Sequence, residues 1–582
     1  MGVILWLSDL HLDPFYGTEL AASHKNGNNC SLPNNATLKE HPYGQVGCDA
    51  PPSLLEWTLQ HASSKSNDID FVLITGDFAR HEMNNLFEDP SSNLQLFPTV
   101  ISILSTCIQT IHDNLPNVPI LPVIGNNDLV PDYFLEEEDS QDGEEAQEML
   151  LSIANGLNQT FLDGNEYGQF QKGGYFARLV PLNQQNSSIL VLSLNTILYS
   201  TRHEPEYSPN NLDPYGQFHW LQRQLHKASS DSTIVGVYLA GHIPPSIGSY
   251  RHSQLWHEEY IQAFSTILND YTQGKYNPPE GEDSTPPPIL GNFYGHVHTE
   301  EFRLFEYGSE SKLDDASSTE ALVVPVLVTS SITPIYGSNP SYRLVEFSDK
   351  TGALLDYKTH YLDLDQTAAN YSNNTNNSMD NNTLQEDPWI ALPSFVQDYG
   401  LPDLSLDSFQ QLLQNFETEL TLATQQLNCG ASNSVATTND RLWETFWKRQ
   451  NLYSNAPDDG DDNDTQKSET TVMIDWLCTF GSSTTQDYQE CLQTKQAQVS
   501  KECYGTAARL FLSKNRFVVA GASVAASIGL VVLFLGLRRC YKRRSKRNQY
   551  TIPQEHDPEI DKDGVFVEDH DSTTPNDDIE LI

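Results

Sequence analysis

Five polar clusters interrupt the first 300 residues, and each is made of side chains that bind cations or move protons. They are Asp9-Leu-His11-Leu-Asp13, Gly76-Asp77 with His81 four residues on, Gly125-Asn126-Asn127-Asp128, Gly241-His242, and Gly295-His296-Val-His298. Asp, Asn and His together form an oxygen–imidazole ligand set, which suits Zn, Mn or Fe and not a thiolate site. One such cluster means little, because Gly-Asp is commonly a turn and a lone Gly-His commonly structural. Five in order, each closing an apolar run, would require five turns to acquire ligand types by accident. The glycines ahead of the ligands suggest tight turns that aim the side chains at a common centre.

The elements that must position them follow from the apolar runs at 3–7, 71–75, 120–124, 189–194, 234–240 and 289–294. Short β-branched or aromatic runs bounded by Gly or Asp read as buried strands. Helical patterns at 53–62, 96–111 and 217–226 alternate with them, which predicts an α/β layered core. Residues 343–365 read as a hairpin turning at 349–352. In such a sheet, ligand groups collect at the carboxyl ends of strands. The five clusters are therefore expected to converge in one crevice.

This ordered set resembles the calcineurin-like metallophosphoesterase superfamily, whose pattern is Asp-x-His, Gly-Asp, Gly-Asn-His-Asp/Glu, Gly-His and Gly-His-x-His. The resemblance spans residues 1–365. Finer details are similar to the acid sphingomyelinase-like branch, which includes endopolyphosphatases. They are Ser8-Asp9-Leu-His11-Leu-Asp13-Pro14, the insert from Cys30 to Cys48, Asp213-Pro-Tyr-Gly-Gln217-Phe-His-Trp220, Ser331-Ile-Thr-Pro334 and Tyr361-Leu-Asp-Leu364. The resemblance implies a layered β-sandwich flanked by helices and two divalent metal ions, Zn first, with Mn or Fe as alternatives. It places Asp9, His11 and His298 on one ion, Asn126, His242 and His296 on the other, and Asp77 between them. Hydrolysis at phosphorus by a metal-bridged hydroxide is the implied reaction. His81 and Asn127 stand where the family handles the proton of the leaving group.

Asn127 departs from the family, which has His at that position, and Asn cannot act as a general acid. The endopolyphosphatase branch shares Gly-Asn-Asn-Asp. A departing phosphate has a second pKa of about 6, against roughly 15.7 for a water-like alkoxide. The asparagine therefore leans the expected substrate toward polyphosphate or another anhydride. The alternatives are a sphingomyelin phosphodiesterase-like enzyme acting on a phospholipid head group or a nucleotide, and a non-catalytic membrane glycoprotein.

The 582 residues carry 33 Lys plus Arg against 78 Asp plus Glu, a net charge of −45. Nucleic-acid binding is not expected of so acidic a chain. Residues 366–388 read as an Asn/Ser-rich glycosylated linker and 389–512 as a helical, cysteine-bearing subdomain. Residues 517–537 are uncharged and long enough to cross a bilayer, and Arg538, Arg539, Lys542, Arg543, Arg544, Lys546 and Arg547 follow them. That arrangement predicts a type I single-pass protein with a lumenal catalytic domain, in a vacuole or lysosome or at the cell surface. The tail 538–582 ends in Asp577-Asp-Ile-Glu-Leu581-Ile582, which is similar to a dileucine sorting signal that an adaptor would read. No signal peptide precedes 3–7, so a missing start is expected. On the oxidising side, a Cys30–Cys48 bridge, two bridges among Cys429, Cys478, Cys491 and Cys503, and one unpaired thiol are expected.

Overall fold

Gly2–Leu7 (β1) is apolar on both faces, and a strand of that kind needs packing partners on both sides. In the computed structural model Ile4 and Trp6 point into one core and Leu5 and Leu7 into another. The same alternation holds in Phe71–Ile74 (β2), where Phe71 and Leu73 share the first core and Val72 and Ile74 the second. The structure describes residues 1–21, 30, 41–66, 68–83, 86, 96–136, 149–155, 162–182, 186–205, 211–249, 252–276, 285–307, 322–375, 387–429, 442–450, 452 and 469–514.

Two mixed sheets result. The first has the order β12-β11-β10-β1-β2-β3, with β3 at Ile120–Pro122, β10 at Ser341–Phe347, β11 at Leu354–Leu362 and β12 at Trp389–Ala391. The second has the order β4-β5-β6-β7-β9-β8. Its strands are Phe176–Pro181 (β4), Ser188–Ser193 (β5), Ile234–Ala240 (β6), Ile289–Tyr294 (β7), Glu301–Tyr307 (β8) and Leu322–Val328 (β9). β1, β2 and β3 run parallel to one another, as do β5, β6, β7 and β9. Their carboxyl ends deliver the loops that carry the chemistry.

The inner faces meet in one core, where Trp6 of the first sheet and Phe293 of the second sit edge to face at 5.0 Å. The outer faces are covered by helices: Pro52–Lys65 (α1) and Leu96–Asn114 (α2) join the cluster of Leu5 and Ile74, and Gln217–Ser230 (α3) and Glu258–Thr272 (α4) that of Leu192 and Leu239. The fold is thus a mixed α/β sandwich flanked by helices, as the sequence predicts. Helices Phe395–Tyr399 (α5), Leu406–Cys429 (α6), Leu442–Gln450 (α7), Glu469–Gly481 (α8) and Thr485–Lys514 (α9) follow. Phe409, Phe416, Trp443 and Phe480 from these helices extend the inter-sheet core.

A buried charge cluster ties α7 to the sheets. Glu300 accepts from Arg449 at 2.6 Å, Thr359 Oγ1 at 2.6 Å and Tyr357 Oη at 3.2 Å, and pairs with Arg343 at 3.2 Å. Arg343 is spread over the faces of Tyr357 and Trp6 at 4.4 and 5.1 Å, a favourable place for a delocalised cation. Burial works against the charge on Glu300, yet the two guanidinium groups hold its pKa below the ordinary carboxylate value. Glu300 is two residues beyond His298, so this cluster anchors the loop that bears that histidine.

The Cys30–Cys48 bridge is present, and Cys478 pairs with Cys491. Cys107 is a buried free thiol. One expectation is corrected. Among the described residues no helix is long and apolar enough to cross a membrane, against a single-pass protein. The longest described helix, α9, carries Asp487, Glu490, Lys495 and Lys501 along its length, charges that a bilayer core would have to desolvate. Residues 517–537 and the sorting-like tail lie outside the described residues, as do the acidic stretch 137–148 and residues 376–386 of the linker.

Arg449→Met is expected to destabilise the protein by about 3–5 kcal/mol, since it strips a buried carboxylate of one partner. In denaturant unfolding, Glu300→Gln combined with Arg449→Met should cost less than the sum of the single changes. Additive costs would show that the two groups do not depend on each other.

Candidate metal centre

Asp9 and His11 leave the end of β1, Asp77 the end of β2, Asn126 and Asn127 the end of β3, His242 the end of β6, and His296 and His298 the end of β7. All of these sequence-predicted residues meet in one place. Asp9, His11, Asp77, His296 and His298 each adopt a positive φ, between 39° and 73°. Left-handed backbone at non-glycine residues costs on the order of 1–3 kcal/mol each and gathers at functional sites.

The glycines act differently from the sequence expectation. Only Gly76 has a positive φ, at 97°. Gly125 and Gly295 are needed for close approach instead. A Cβ on Gly125 would stand 2.1 Å from Asp77 Oδ1, and one on Gly295 would stand 1.9 Å from Ser8 Oγ. The left-handed turns fall on the ligand-type residues themselves.

Two of the imidazoles have one nitrogen already committed to the backbone. His11 Nδ1 faces the carbonyl of Ala79 at 3.0 Å, and His242 Nδ1 faces that of Thr75 at 2.7 Å. A carbonyl accepts only, so both Nδ1 atoms carry hydrogen, and each Nε2 turns inward. His11 Nε2 lies 3.3 Å from Asp77 Oδ2, buried and without a hydrogen-bond partner. His242 Nε2 lies 3.3 Å from the same oxygen and 3.0 Å from Asn126 Oδ1. His298 Nε2 stands 3.4 Å from Asp9 Oδ1. His296 brings its ring to 5.1 Å from that of His242 and donates its backbone N–H to Asp9. At His11 a nitrogen lone pair thus faces a carboxylate oxygen across 3.3 Å, a geometry that a cation resolves. The ligand-type atoms of Asp9, His11 and Asp77 lie within 4.8 Å of one another, and so do those of His11, His81 and His298. The donor set fits divalent metal ions.

Titration follows from this crowding. Burial pushes His11 and His296 down to about 3, and it pushes Asp9 up to about 7. Burial opposes the charging of His242 as well, but Asp77 raises it to about 9. A proton on His242 therefore substitutes for positive charge between the two residues.

Asp49 and Tyr336 escaped the sequence reading altogether, and Asp128 and Asn127 stood in it without their partners. Asp128 accepts from the backbone N–H groups of Gly125, Asp77, Phe78 and Ala79 at 2.8–3.1 Å, and so locks the β2 loop against the β3 loop. Asp49 takes the His81 backbone N–H at 2.8 Å and faces His81 Nδ1 at 3.0 Å. Burial alone would lower the His81 pKa, but Asp49 raises it. His81 stacks on His11 with ring centres 3.7 Å apart, and its Nε2 meets Tyr336 Oη at 3.2 Å. Asn127 donates its backbone N–H and its side-chain amide to the two oxygens of Asp77 at 2.8 and 2.9 Å. Its place in the motif was visible, and its partner was not.

Residues 2–299 match the family model described as calcineurin-like phosphoesterase. The chain belongs to the calcineurin-like phosphoesterase family. It is accordingly a hydrolase of phosphoric esters, in a family that works with divalent metals. The chain is 28% identical over 369 residues to a sphingomyelinase phosphodiesterase D of Dictyostelium discoideum, covering 63% of this chain and 71% of that protein. It is 27% identical over 429 residues to the human cyclic GMP-AMP phosphodiesterase SMPDL3A, covering 72% and 79%. It is 25% identical over 421 residues to the mouse acid sphingomyelinase-like phosphodiesterase 3b, covering 72% and 80%. These relatives support the acid sphingomyelinase-like branch.

Asp128→Asn would turn a donor group toward N–H groups that now find an acceptor. We expect a loss of about 2–3 kcal/mol in chemical denaturation. A variant as stable as the parent would show that the loops hold each other without this carboxylate.

Proposed function

We propose that this chain hydrolyses phosphodiesters at a two-metal site, with Asp9, His11, Asp77 and His298 holding one ion and Asp77, Asn126, His242 and His296 the other. The observation that carries the reading is the position of Asp77 Oδ2, 3.3 Å from two inward-facing imidazole nitrogens on opposite sides. Two divalent ions bound there would clamp the phosphoryl oxygens and acidify the attacking water. The shared carboxylate offsets the mutual repulsion of the cations, and the Asn127 amide fixes its orientation.

Proton delivery falls to His81. Asp49 orients its ring and favours its charged form, and its Nε2 points to the rim beside Tyr336. A positioned imidazolium can hand its proton to the departing oxygen. An alkoxide of pKa roughly 15.7 needs that help far more than a phosphate with a second pKa of about 6. Asn127 is occupied with Asp77, so its presence no longer argues for an anhydride substrate. The retained donor and the phosphodiesterase relatives both favour the diester over the polyphosphate reading that the motif suggested.

With Zn or Mn supplied, bis(p-nitrophenyl) phosphate should be turned over and long-chain polyphosphate should not. Asp77→Ala should lower turnover by at least about a hundredfold. The reverse substrate preference would restore the anhydride reading, and no turnover of either would favour a binding protein. Metal affinity should also depend on pH. The proton on His242 competes with the ion below its pKa of about 9, so affinity falls as pH falls, by up to about tenfold per unit between pH 9 and 7. Chelator competition measures this, and a flat profile would contradict ligation by His242.

A further inference from the structure

With 78 acidic residues against 33 basic ones, a guanidinium in this chain readily finds a carboxylate. Arg80 pairs with Asp13 at 3.1 Å, Arg178 with Glu166 at 2.5 Å, Arg303 with Glu301 at 2.5 Å, and Arg343 and Arg449 with Glu300. Arg202 is exposed, and among the described residues no carboxylate pairs with it.

Its location is fixed from two sides. Residues 200–203 form a turn in which the His203 N–H donates to Ser200 O at 3.1 Å and the Arg202 N–H to Ser200 Oγ at 3.1 Å. On one flank, Thr201 donates its N–H to Leu255 O at 3.0 Å and its hydroxyl to Gln254 O at 2.9 Å. On the other, Glu204 N–H donates to Tyr133 O at 3.2 Å and Leu135 N–H to Glu204 O at 2.9 Å. The guanidinium lies beside the Tyr133 hydroxyl, which is itself 3.5 Å from His296 Nε2. Its field reaches His296 and also Tyr336, the residue against His81. Arg202 therefore stands beside the metal centre, hydrogen-bonded to Tyr133 and with no carboxylate partner among the described residues.

We propose that Arg202 is a subsite for a second anionic group of the substrate, which selects nucleotide or dinucleotide diesters over choline-bearing lipid head groups. The inference rests on the diesterase reading above and deepens it. The metal ions already meet the single charge of a scissile diester, so an additional guanidinium rewards substrates that carry a further phosphate. Arginine suits that role because its planar fork binds phosphate oxygens in pairs. The same charge repels a quaternary ammonium, and such repulsion is a direct source of specificity. Tyr336, whose ring is exposed, offers an apolar surface with a polar tip suited to a base or a sugar.

The test uses the full, metal-loaded chain and four probes: bis(p-nitrophenyl) phosphate, p-nitrophenyl phosphorylcholine, and a 3′–5′ dinucleotide with and without a terminal phosphate. The parent should favour the phosphorylated dinucleotide by about tenfold in kcat/KM over the unphosphorylated one, chiefly through KM and less so at high salt. Arg202→Ala should bring that ratio to about one, and Arg202→Lys should retain part of it. Arg202→Glu should invert the ratio and raise phosphorylcholine turnover relative to bis(p-nitrophenyl) phosphate. A parent ratio near one, or a ratio that Arg202→Ala leaves intact, overturns the subsite alone. Failure of the parent to cleave bis(p-nitrophenyl) phosphate overturns the diesterase reading, and the subsite with it.

Discussion

One carboxylate, Asp77, is held where two imidazole nitrogens and two N–H donors of Asn127 close on it, and the surrounding structure keeps those groups from moving apart. Each imidazole is tethered through its outer nitrogen to a backbone carbonyl, His11 to Ala79 and His242 to Thr75. Asp77 is tethered through Asn127. Such outer contacts fix ring orientation and tautomer, which sets how well a ligand serves a metal. The arrangement stores electrostatic tension that the left-handed backbone at Asp9, His11, Asp77, His296 and His298 increases. A fold sustains that only when its core is rigid.

The sandwich supplies the rigidity by bringing parallel strands of both sheets to one edge. β1, β2 and β3 contribute Asp9, Asp77 and Asn126, and β6 and β7 contribute His242 and His296. Neither sheet alone holds the full set, so the site exists only where Trp6 and Phe293 lock the inner faces together. The helices after residue 395 take part through Glu300. Arg449 of α7 reaches into the same cluster as Arg343 of β10, and the loop bearing His298 is thereby tied both to the first sheet and to the later helices.

Much of this was legible in the sequence because the relevant signals are local. Strands buried on both faces show as unbroken apolar runs, and the six runs read from the sequence all fall on strands. β4 and β9 were hidden for physical reasons. Pro181 ends β4 and Leu179 on it is exposed, while Pro325 sits within β9. The ligand-type residues were legible from their identity and order. Asp49, Tyr336 and Arg202 were not, and Asp128 stood in its motif without a role, because a carboxylate that serves four backbone N–H groups looks like any other until the fold chooses its neighbours. Asn127 shows the limit most clearly. Its departure from the family suggested an anhydride substrate, a lean the relatives do not support, and its amide contacts to Asp77 are something no spacing rule contains.

With the Asn127 amide held by Asp77, the two ends of the proposed site differ. Where a second histidine would stand beside the centre, this chain has a group that only orients, so proton delivery concentrates on His81. That residue packs against His11 and His298, whereas Tyr133 packs against His296. The mouth therefore has unlike ends, one that can protonate a departing oxygen and one that bears an arginine. In the proposed in-line displacement the leaving oxygen would lie at the His81 end. The proposed cleavage polarity and charge selectivity would then share one asymmetry, imposed by which strand carries which loop.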